Sequence, residues 1–341
     1  MPDIRLALQQ AWLTKGLLAY LLWPVSLAYG WLVWLRKLLY RIGVFQSRRL
    51  PVPVIVVGNV FVGGVGKTPL VIALVKQLAA QGFKVGVLSR GFGRSSEGNQ
   101  SVTPQSVALE VGDEPLLIAR ASQVPVFVGK DRFQAGLDLL AQHPQTEVIV
   151  CDDGLQHLAL AHDVALCVFD ERGLGNGWVL PAGPLREPWP LDASSHSLIT
   201  LSTSSQAPQH PKTDFWVPRV LGKWAQQADG TSQALSEFRG QNVQALAGIG
   251  KPQAFFDMLA DLGISLTKTL VLADHDDLST VNIDPEMGVV LCTEKDAVKL
   301  WSNLPTAWAV PLVTEIPPNL LARIMAAIQP KLSSAHGHQI T

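Results

Sequence analysis

Between Asp3 and Glu97 the 341-residue chain has no acidic side chain. The first 96 positions hold twelve lysines and arginines against one aspartate, a local charge of +11, and the remainder holds fifteen against twenty-seven, or −12. A formal net charge of −1 therefore conceals a polarised molecule. Cysteine is scarce: Cys151, Cys167 and Cys292 are scattered with neither disulfide nor metal-ligand spacing, which excludes a disulfide-stapled scaffold and fits a reducing compartment. Tyrosine is missing after residue 40, because Tyr20, Tyr29 and Tyr40 crowd with Trp12, Trp23, Trp31 and Trp34 into the first forty positions. Charge is missing from Gly16 to Leu35, a stretch long enough to cross a bilayer.

The missing charge and the aromatic crowding describe the same segment. Residues 1–45 read as a hydrophobic, basic, membrane-associated helical unit, with aromatics of the kind that bilayer interfaces select. Pro24 and Gly30 interrupt it, so a kinked or re-entrant helix lying in the interface competes with a true span, and a buried core helix remains the bland alternative. Trp12, Trp23 and Trp34 are eleven apart, close to three helical turns, and would share a face of one helix. The basic residues Arg36, Lys37, Arg41, Arg48 and Arg49 follow at once, and such residues beside an apolar anchor are drawn to anionic headgroups. An anionic membrane surface is the expected partner, and no nucleic-acid partner is expected. Were the segment to span, this cluster would leave everything after it in the cytoplasm.

Residues 58–69 read Gly-Asn-Val-Phe-Val-Gly-Gly-Val-Gly-Lys-Thr-Pro, after the apolar run Val52–Val57 and before a helical pattern over Leu70–Ala80. Strand, glycine-rich loop, Lys-Thr and helix in that order form a triphosphate cradle. Gly63, Gly64, Val65 and Gly66 would turn backbone N–H groups toward phosphate oxygens, Lys67 would reach the β- and γ-phosphates, and the Thr68 hydroxyl would ligate Mg²⁺. ATP or GTP is the expected nucleotide. Phe61 stands where the common eight-residue pattern has glycine, so the loop resembles a Gly-Gly-x-Gly-Lys-Thr variant.

Beyond this loop, apolar runs at Val85–Leu88, Val124–Val128, Val148–Cys151 and Val164–Phe169 alternate with helical stretches near Leu70–Ala80 and Arg132–Ala141. The pattern predicts an α/β fold, a P-loop NTPase-like and largely parallel sheet with helices on both faces, over 46–195. Residues 196–240 read as a linker with one or two short strands around Phe215–Leu221. Residues 241–330 read as a smaller C-terminal α/β domain whose last helix lies near Asn319–Ile328, and 331–341 as a disordered tail. Asp152 and Asp153 end an apolar strand about ninety residues after the P-loop, where a carboxylate meets the Mg²⁺ beside the threonine. Asp113 opens a helical pattern, either as a capping acid or as a functional one. His275 stands among acids in Asp274-His275-Asp276-Asp277, either as a solvated surface group or as part of a site.

The P-loop segment, Leu88-Ser89-Arg90-Gly91-Phe92-Gly93-Arg94, Gly112-Asp113-Glu114-Pro115, Asp152-Asp153-Gly154-Leu155-Gln156-His157, Pro181 to Pro188, Gly248-Ile249-Gly250-Lys251-Pro252, Asp274-His275 and Thr293 to Lys299 recur in an order that resembles the tetraacyldisaccharide 4′-kinase family. The resemblance covers about residues 50–300 and implies ATP-dependent phosphorylation of the 4′-hydroxyl of a lipid A disaccharide 1-phosphate precursor at the cytoplasmic face of a Gram-negative inner membrane. It also implies roles. Asp113 matches the acid that activates the sugar hydroxyl, and His275 the histidine that supports it. Lys67 with Thr68 matches the phosphate and Mg²⁺ ligands, and Arg132 and Arg186 match basic positions near phosphates or headgroup. Phe92, where tyrosine is usual, and Asp276, where a second histidine is frequent, depart from the pattern. The competing reading is a membrane-associated P-loop ATPase or GTPase acting as a nucleotide switch. Thr293-Glu294-Lys295-Asp296 lacks the spacing of a guanine-reading loop, which argues against GTP.

Overall fold

The computed structural model describes residues 10–191, 197–204, 211–272 and 288–336, the side chains of 333–336 excepted. Strands that are apolar along nearly their whole length require cover on both faces. β1 (Val54–Gly58), β2 (Val85–Ser89), β4 (Val126–Val128), β5 (Val148–Asp152) and β6 (Val164–Phe169) are of this kind, polar only at the last residues Ser89 and Asp152, and every residue in them is buried. Together with β3 (Gln100–Val102), β7 (Ser197–Ser202) and β8 (Phe215–Trp216) they form a sheet of order β3-β4-β2-β5-β1-β6-β7-β8. Only the β3 edge is antiparallel.

Among the described residues, the α-helices of a turn or more are, in chain order, α1 (Leu17–Arg41), α2 (Lys67–Ala80), the one-turn α3 (Ala108–Val111), α4 (Asp113–Ser122), α5 (Arg132–Gln142), α6 (Pro252–Asp261), α7 (Glu294–Leu300) and α8 (Pro318–His336). Period-two alternation splits each strand between two cores. Ile55, Val57, Val150 and Leu166 meet α2, α4 and α8, whereas Val54, Val56, Ile149 and Ala165 meet α5. A second sheet contains β10 (Trp224–Gln226), β11 (Ser232–Ala234), β12 (Val243–Ala247), β13 (Leu266–Val271), β14 (Val289–Thr293) and β15 (Trp308–Val310), in the order β11-β10-β15-β14-β12-β13. Its β15-β14-β12-β13 part is parallel, with α6 and α7 in separate cores. β9 (Arg219–Leu221) leaves the first sheet and β16 (Leu312–Thr314) returns to it, and the two pair antiparallel as a ribbon between the domains.

Three expectations change. The segment 196–240 is strand-rich and not a bare linker, since β7 and β8 extend the first sheet and β10 and β11 the second. Strands of two or three residues are too short to show periodicity in a sequence. The last helix does not end near Ile328, nor does it belong to the second domain's core. α8 runs to His336, so the first part of the expected disordered tail is helical. Leu320, Leu321, Ile324, Ile328 and Leu332 recur at helical spacing and enter the first core, and Lys331 Nζ donates to Val52 O at 2.9 Å and pairs with Asp163 at 3.4 Å.

Trp12 precedes α1 and is not part of the expected three-tryptophan face; its Nε1 donates to Pro181 O at 2.9 Å. α1 is fastened along one side to the first domain. Ser26 Oγ donates to Val179 O at 3.0 Å and accepts from Ala182 N at 2.8 Å, Tyr29 Oη donates to Arg186 O at 2.7 Å, and Lys37 pairs with Glu187. Small residues permit the approach: Ala19 and Ser26 are buried, and Gly30 lies against Val179. The remaining surface is apolar and open, with Leu17, Leu21, Trp31, Leu32 and Trp34 all more than half exposed. Of the basic cluster, Lys37, Arg48 and Arg49 are held by Glu187, Asp131 and Asp163.

Because α8 closes the first core, Ile324→Ala should destabilise the P-loop domain by about 2–5 kcal/mol through the lost burial and the cavity left behind. Urea denaturation followed by fluorescence checks this; a loss well below 1 kcal/mol would show α8 to be peripheral.

Candidate active site

Loop, helix and strand ends build the site. β1 delivers the chain into Asn59–Gly66, and α2 begins at Lys67 with no acid in its first turn, leaving the positive end of its dipole available to an anion. Gly63 and Gly66 have φ of +97° and +78°, conformations that L side chains rarely adopt. A Cβ on Gly66 would also lie 2.4 Å from Nη1 of Arg219, which closes over the loop from the interdomain ribbon. Arg172 Nη2 donates to Gly64 O at 2.8 Å while pairing with the buried Asp170, so the outer wall of the loop is braced from the end of β6.

Lys67 is 9% exposed, and a buried ammonium needs partners. Its Nζ donates to Asn59 Oδ1 at 3.0 Å and lies 3.2 Å from Asp153 Oδ1. Asp153 sits at φ +49° after the end of β5 and also meets Arg186 Nη1 at 3.1 Å. Burial would raise its carboxyl, but Lys67 and Arg186 outweigh burial and hold it below the usual carboxylate range. Asp152 is the opposite case. Burial, with the Glu114 charge adding to it, pushes its carboxyl up to about 7 against the pull of Lys67. Its Oδ2 accepts from Ser89 Oγ at 3.4 Å, and its Oδ1 is buried without a hydrogen-bond partner among the described residues. The expected acidic pair therefore contains one carboxylate committed to cations and one that is open. Arg132, buried at the start of α5, donates from Nη2 to the carbonyls of Asp152 and Asp153 at 3.3 and 2.9 Å, and so fixes the backbone that carries both.

Asp113 opens α4 and is buried, with Lys299 of α7 at 2.8 Å. The Gly112 that precedes it has φ +95°, and a Cβ there would lie 3.2 Å from Gly91 Cα, so the loops 89–94 and 112–114 line one wall. The structure thus gathers Gly63, Gly64, Val65, Gly66, Lys67, Thr68, Asp152 and Asp153 at the ends of β1 and β5. Gly112 stands against Gly91, two residues after the Ser89 that donates to Asp152, so the first turn of α4 lies on their side of the sheet. His275 and Asp276 lie outside the described residues.

Asn59, Gln156 and Glu187 were not singled out as site residues from sequence. Gln156 Nε2 donates to Asn59 O at 3.0 Å and to Glu187 Oε1 at 2.7 Å, connecting the P-loop to the segment that holds α1. Asn59, Gln156 and Glu187 stand inside motifs already quoted, but their side-chain targets are 31 or 97 residues away in sequence or depend on a loop's turn, and spacing does not reveal them.

The family model described as tetraacyldisaccharide-1-P 4′-kinase matches residues 18–329. A tetraacyldisaccharide 4′-kinase of Acidovorax ebreus (strain TPSY) is 51% identical over 330 residues, covering 96% of each chain. One of Polaromonas naphthalenivorans (strain CJ2) is 51% identical over 343 residues, covering 98% of this chain and 99% of its own. Among solved structures, LpxK from Aquifex aeolicus in complex with ATP superimposes with a TM-score of 0.77 at 29% identity, covering 92% of this chain and all of that one.

A side chain at position 66 must strain the loop as well as displace Arg219. Gly66→Ala should therefore weaken triphosphate binding at least about tenfold with secondary structure unchanged, a loss equivalent to roughly 1.4 kcal/mol. Titration with a fluorescent ATP analogue measures it, and wild-type affinity would show that this loop does not carry the phosphates.

Proposed function

The chain belongs to the tetraacyldisaccharide-1-P 4′-kinase family, and we infer from that membership and from the cleft just described that it transfers the γ-phosphoryl group of ATP to the 4′-hydroxyl of a tetraacyldisaccharide 1-phosphate, a step of lipid A biosynthesis. The observation that carries the reading is a P-loop lysine clamped between Asn59 and Asp153, beside an open buried carboxylate on Asp152 and an acid at the head of α4.

The residues suit a magnesium ion. Asp152 presents an orphaned oxygen in a setting that resists ionisation, a cost that a bound hard cation removes, and the Thr68 hydroxyl stands one residue after Lys67 at the start of α2. Thr68 and Asp152 would hold the ion, with Asp153 serving chiefly to lock Lys67. The ion would neutralise charge on the phosphate oxygens. Lys67 follows the migrating phosphoryl group with a fixed charge, and the P-loop N–H groups hold the β- and γ-phosphates. Asp113 orients the 4′-hydroxyl toward the γ-phosphorus. As the new P–O bond forms and the bond to the β–γ bridging oxygen breaks, ADP leaves with that oxygen and the hydroxyl proton passes to Asp113. His275 would support Asp113, as the family pattern implies.

α1 supplies access to the lipid. A helix of 25 residues is about 37 Å long, enough to cross a membrane, but its contacts at Ser26, Tyr29 and Lys37 bind one side of it to the catalytic domain along much of its length. It therefore lies in the interface with its open apolar face in the acyl region, and the acceptor reaches the cleft from the cytoplasmic face of the Gram-negative inner membrane without leaving the bilayer. The anionic surface is met by the cations that, among the described residues, no acid holds in place, Lys15 and Arg36 among them; Arg36 donates to the Gln156 carbonyl.

In an assay of labelled γ-phosphate transfer from ATP to tetraacyldisaccharide 1-phosphate in mixed micelles, Lys67→Ala should abolish turnover, and Asp113→Asn should lower kcat by about a hundredfold or more with little change in KM for ATP. Near wild-type turnover in either variant would remove that residue from the mechanism. Replacing Leu21, Trp31 and Trp34 together by Gln removes open apolar surface and leaves the hydrogen bonds and ion pair of Ser26, Tyr29 and Lys37 in place. Co-sedimentation with anionic vesicles should then fall several-fold while ATP binding persists. Unchanged sedimentation would take α1 off the membrane.

A further inference from the structure

The acid that heads α4 is met across the domain boundary. Lys299 Nζ lies 2.8 Å from Asp113 Oδ2, with the two side chains only 13% and 9% exposed. One turn earlier on α7, Lys295 Nζ stands 3.8 Å from Glu114 Oε1. Residues four apart on a helix share a face, so α7 presents two cations to the first turn of α4. α7 is in turn braced at its other end. Thr293 caps it, and the buried Asp296 accepts through Oδ2 from Thr293 Oγ1 at 2.6 Å and from Gly248 N at 2.9 Å. Gly248 opens the loop that reaches the P-loop: a Cβ on Gly250 would lie 3.5 Å from Gly64 O, and Lys251 Nζ pairs with Asp170 at 3.1 Å and Glu171 at 2.5 Å. One short helix therefore connects the outer wall of the nucleotide loop to the carboxylate that receives the acceptor hydroxyl.

We propose that Lys299 is a positioning residue for phosphoryl transfer, fixing the Asp113 carboxylate in its productive orientation, and that it does so only while the second domain is seated against the P-loop. The proposal rests on the role given to Asp113 above. It assigns a function to the Thr293–Lys299 segment, whose aspartate holds the loop to the nucleotide site and whose last lysine holds the acid. An ammonium at 2.8 Å fixes Oδ2, and with it the plane in which the carboxylate meets the hydroxyl. Loss of a buried partner removes the contact that fixes Oδ2, so the acid would relax toward its other partners. A displacement of about 1 Å in a positioning group costs on the order of a hundredfold in rate.

The test compares Lys299→Met, Lys299→Arg, Lys295→Met, Asp113→Asn and the Lys299→Met/Asp113→Asn pair in the full-length protein, with ATP and tetraacyldisaccharide 1-phosphate as substrates. Lys299→Met should lower kcat about 30-fold or more with KM for ATP within about threefold, since nucleotide binding does not use Asp113. Lys299→Arg, which keeps the charge, should recover most of that loss, and Lys295→Met should change kcat less than about threefold. In the pair, Lys299→Met should add less than about twofold to the loss from Asp113→Asn, because the two act as one unit. A Lys299→Met kcat within about twofold of wild type would overturn the proposal, as would losses that multiply in the pair or an equal loss in Lys295→Met, either of which would mark general domain docking. Should Lys299→Met fold poorly, Lys299→Gln carries the same expectations and the same refutation. Retained kcat in Asp113→Asn would instead remove the reading of Asp113 itself, and this inference with it.

Discussion

The ammonium of Lys67 is buried in the floor of a loop built to hold phosphate, and much of the site's architecture answers the need to keep it charged and aimed. Burial of a lone cation is prohibitive, so Asn59 and Asp153 must stand where they do. Asp153 in turn needs an unusual backbone angle and a second cation, Arg186, while Arg132 holds the carbonyls of the turn. The neighbouring Asp152, denied such partners, is left as a costly buried carboxyl with an open oxygen. Two adjacent aspartates thus acquire different work from their surroundings alone: one locks the lysine, and the other is suited to a metal ion.

The same network joins the long apolar helix and the nucleotide loop in one domain. Arg186 and Glu187, which face the site through Asp153 and Gln156, also receive α1 through Tyr29 and Lys37. Gln156 bridges Glu187 to the Asn59 carbonyl, so a line of polar contacts runs from the apolar helix to the lysine. On the proposed function, a lipid acceptor at the membrane and a nucleotide in the loop would be presented to each other by one connected segment, and proximity of this kind is a large share of what phosphoryl transfer requires from a protein.

Much of this was legible in the sequence because it is local. β6 falls at Val164–Phe169 as read, and the cradle follows from the glycines of the loop and the Lys-Thr that ends it. What stayed hidden is long-range. That α8 closes the first core could not be inferred from its periodicity, which shows an apolar face but not the surface it covers. The basic cluster after α1 looked uniformly available to lipid, yet Lys37, Arg48 and Arg49 are taken by acids more than eighty residues away. Trp12 matched a helical spacing of eleven and still lies off the helix, because the chain turns before Gly16. The site residues that escaped notice share this cause: Gln156 and Lys299 act on partners that only the tertiary fold brings near.

The central claim is that the cleft transfers phosphate to an alcohol and does not spend ATP as a switch. The most direct measurement is the stoichiometry of ADP released to phosphomonoester formed, followed by ³¹P NMR with the purified full-length protein, with and without tetraacyldisaccharide 1-phosphate in micelles. The account predicts one new 4′-phosphomonoester per ADP and almost no ADP release when the acceptor is absent. ADP production that proceeds at the same rate without the acceptor, with no new phosphomonoester in its presence, would contradict it.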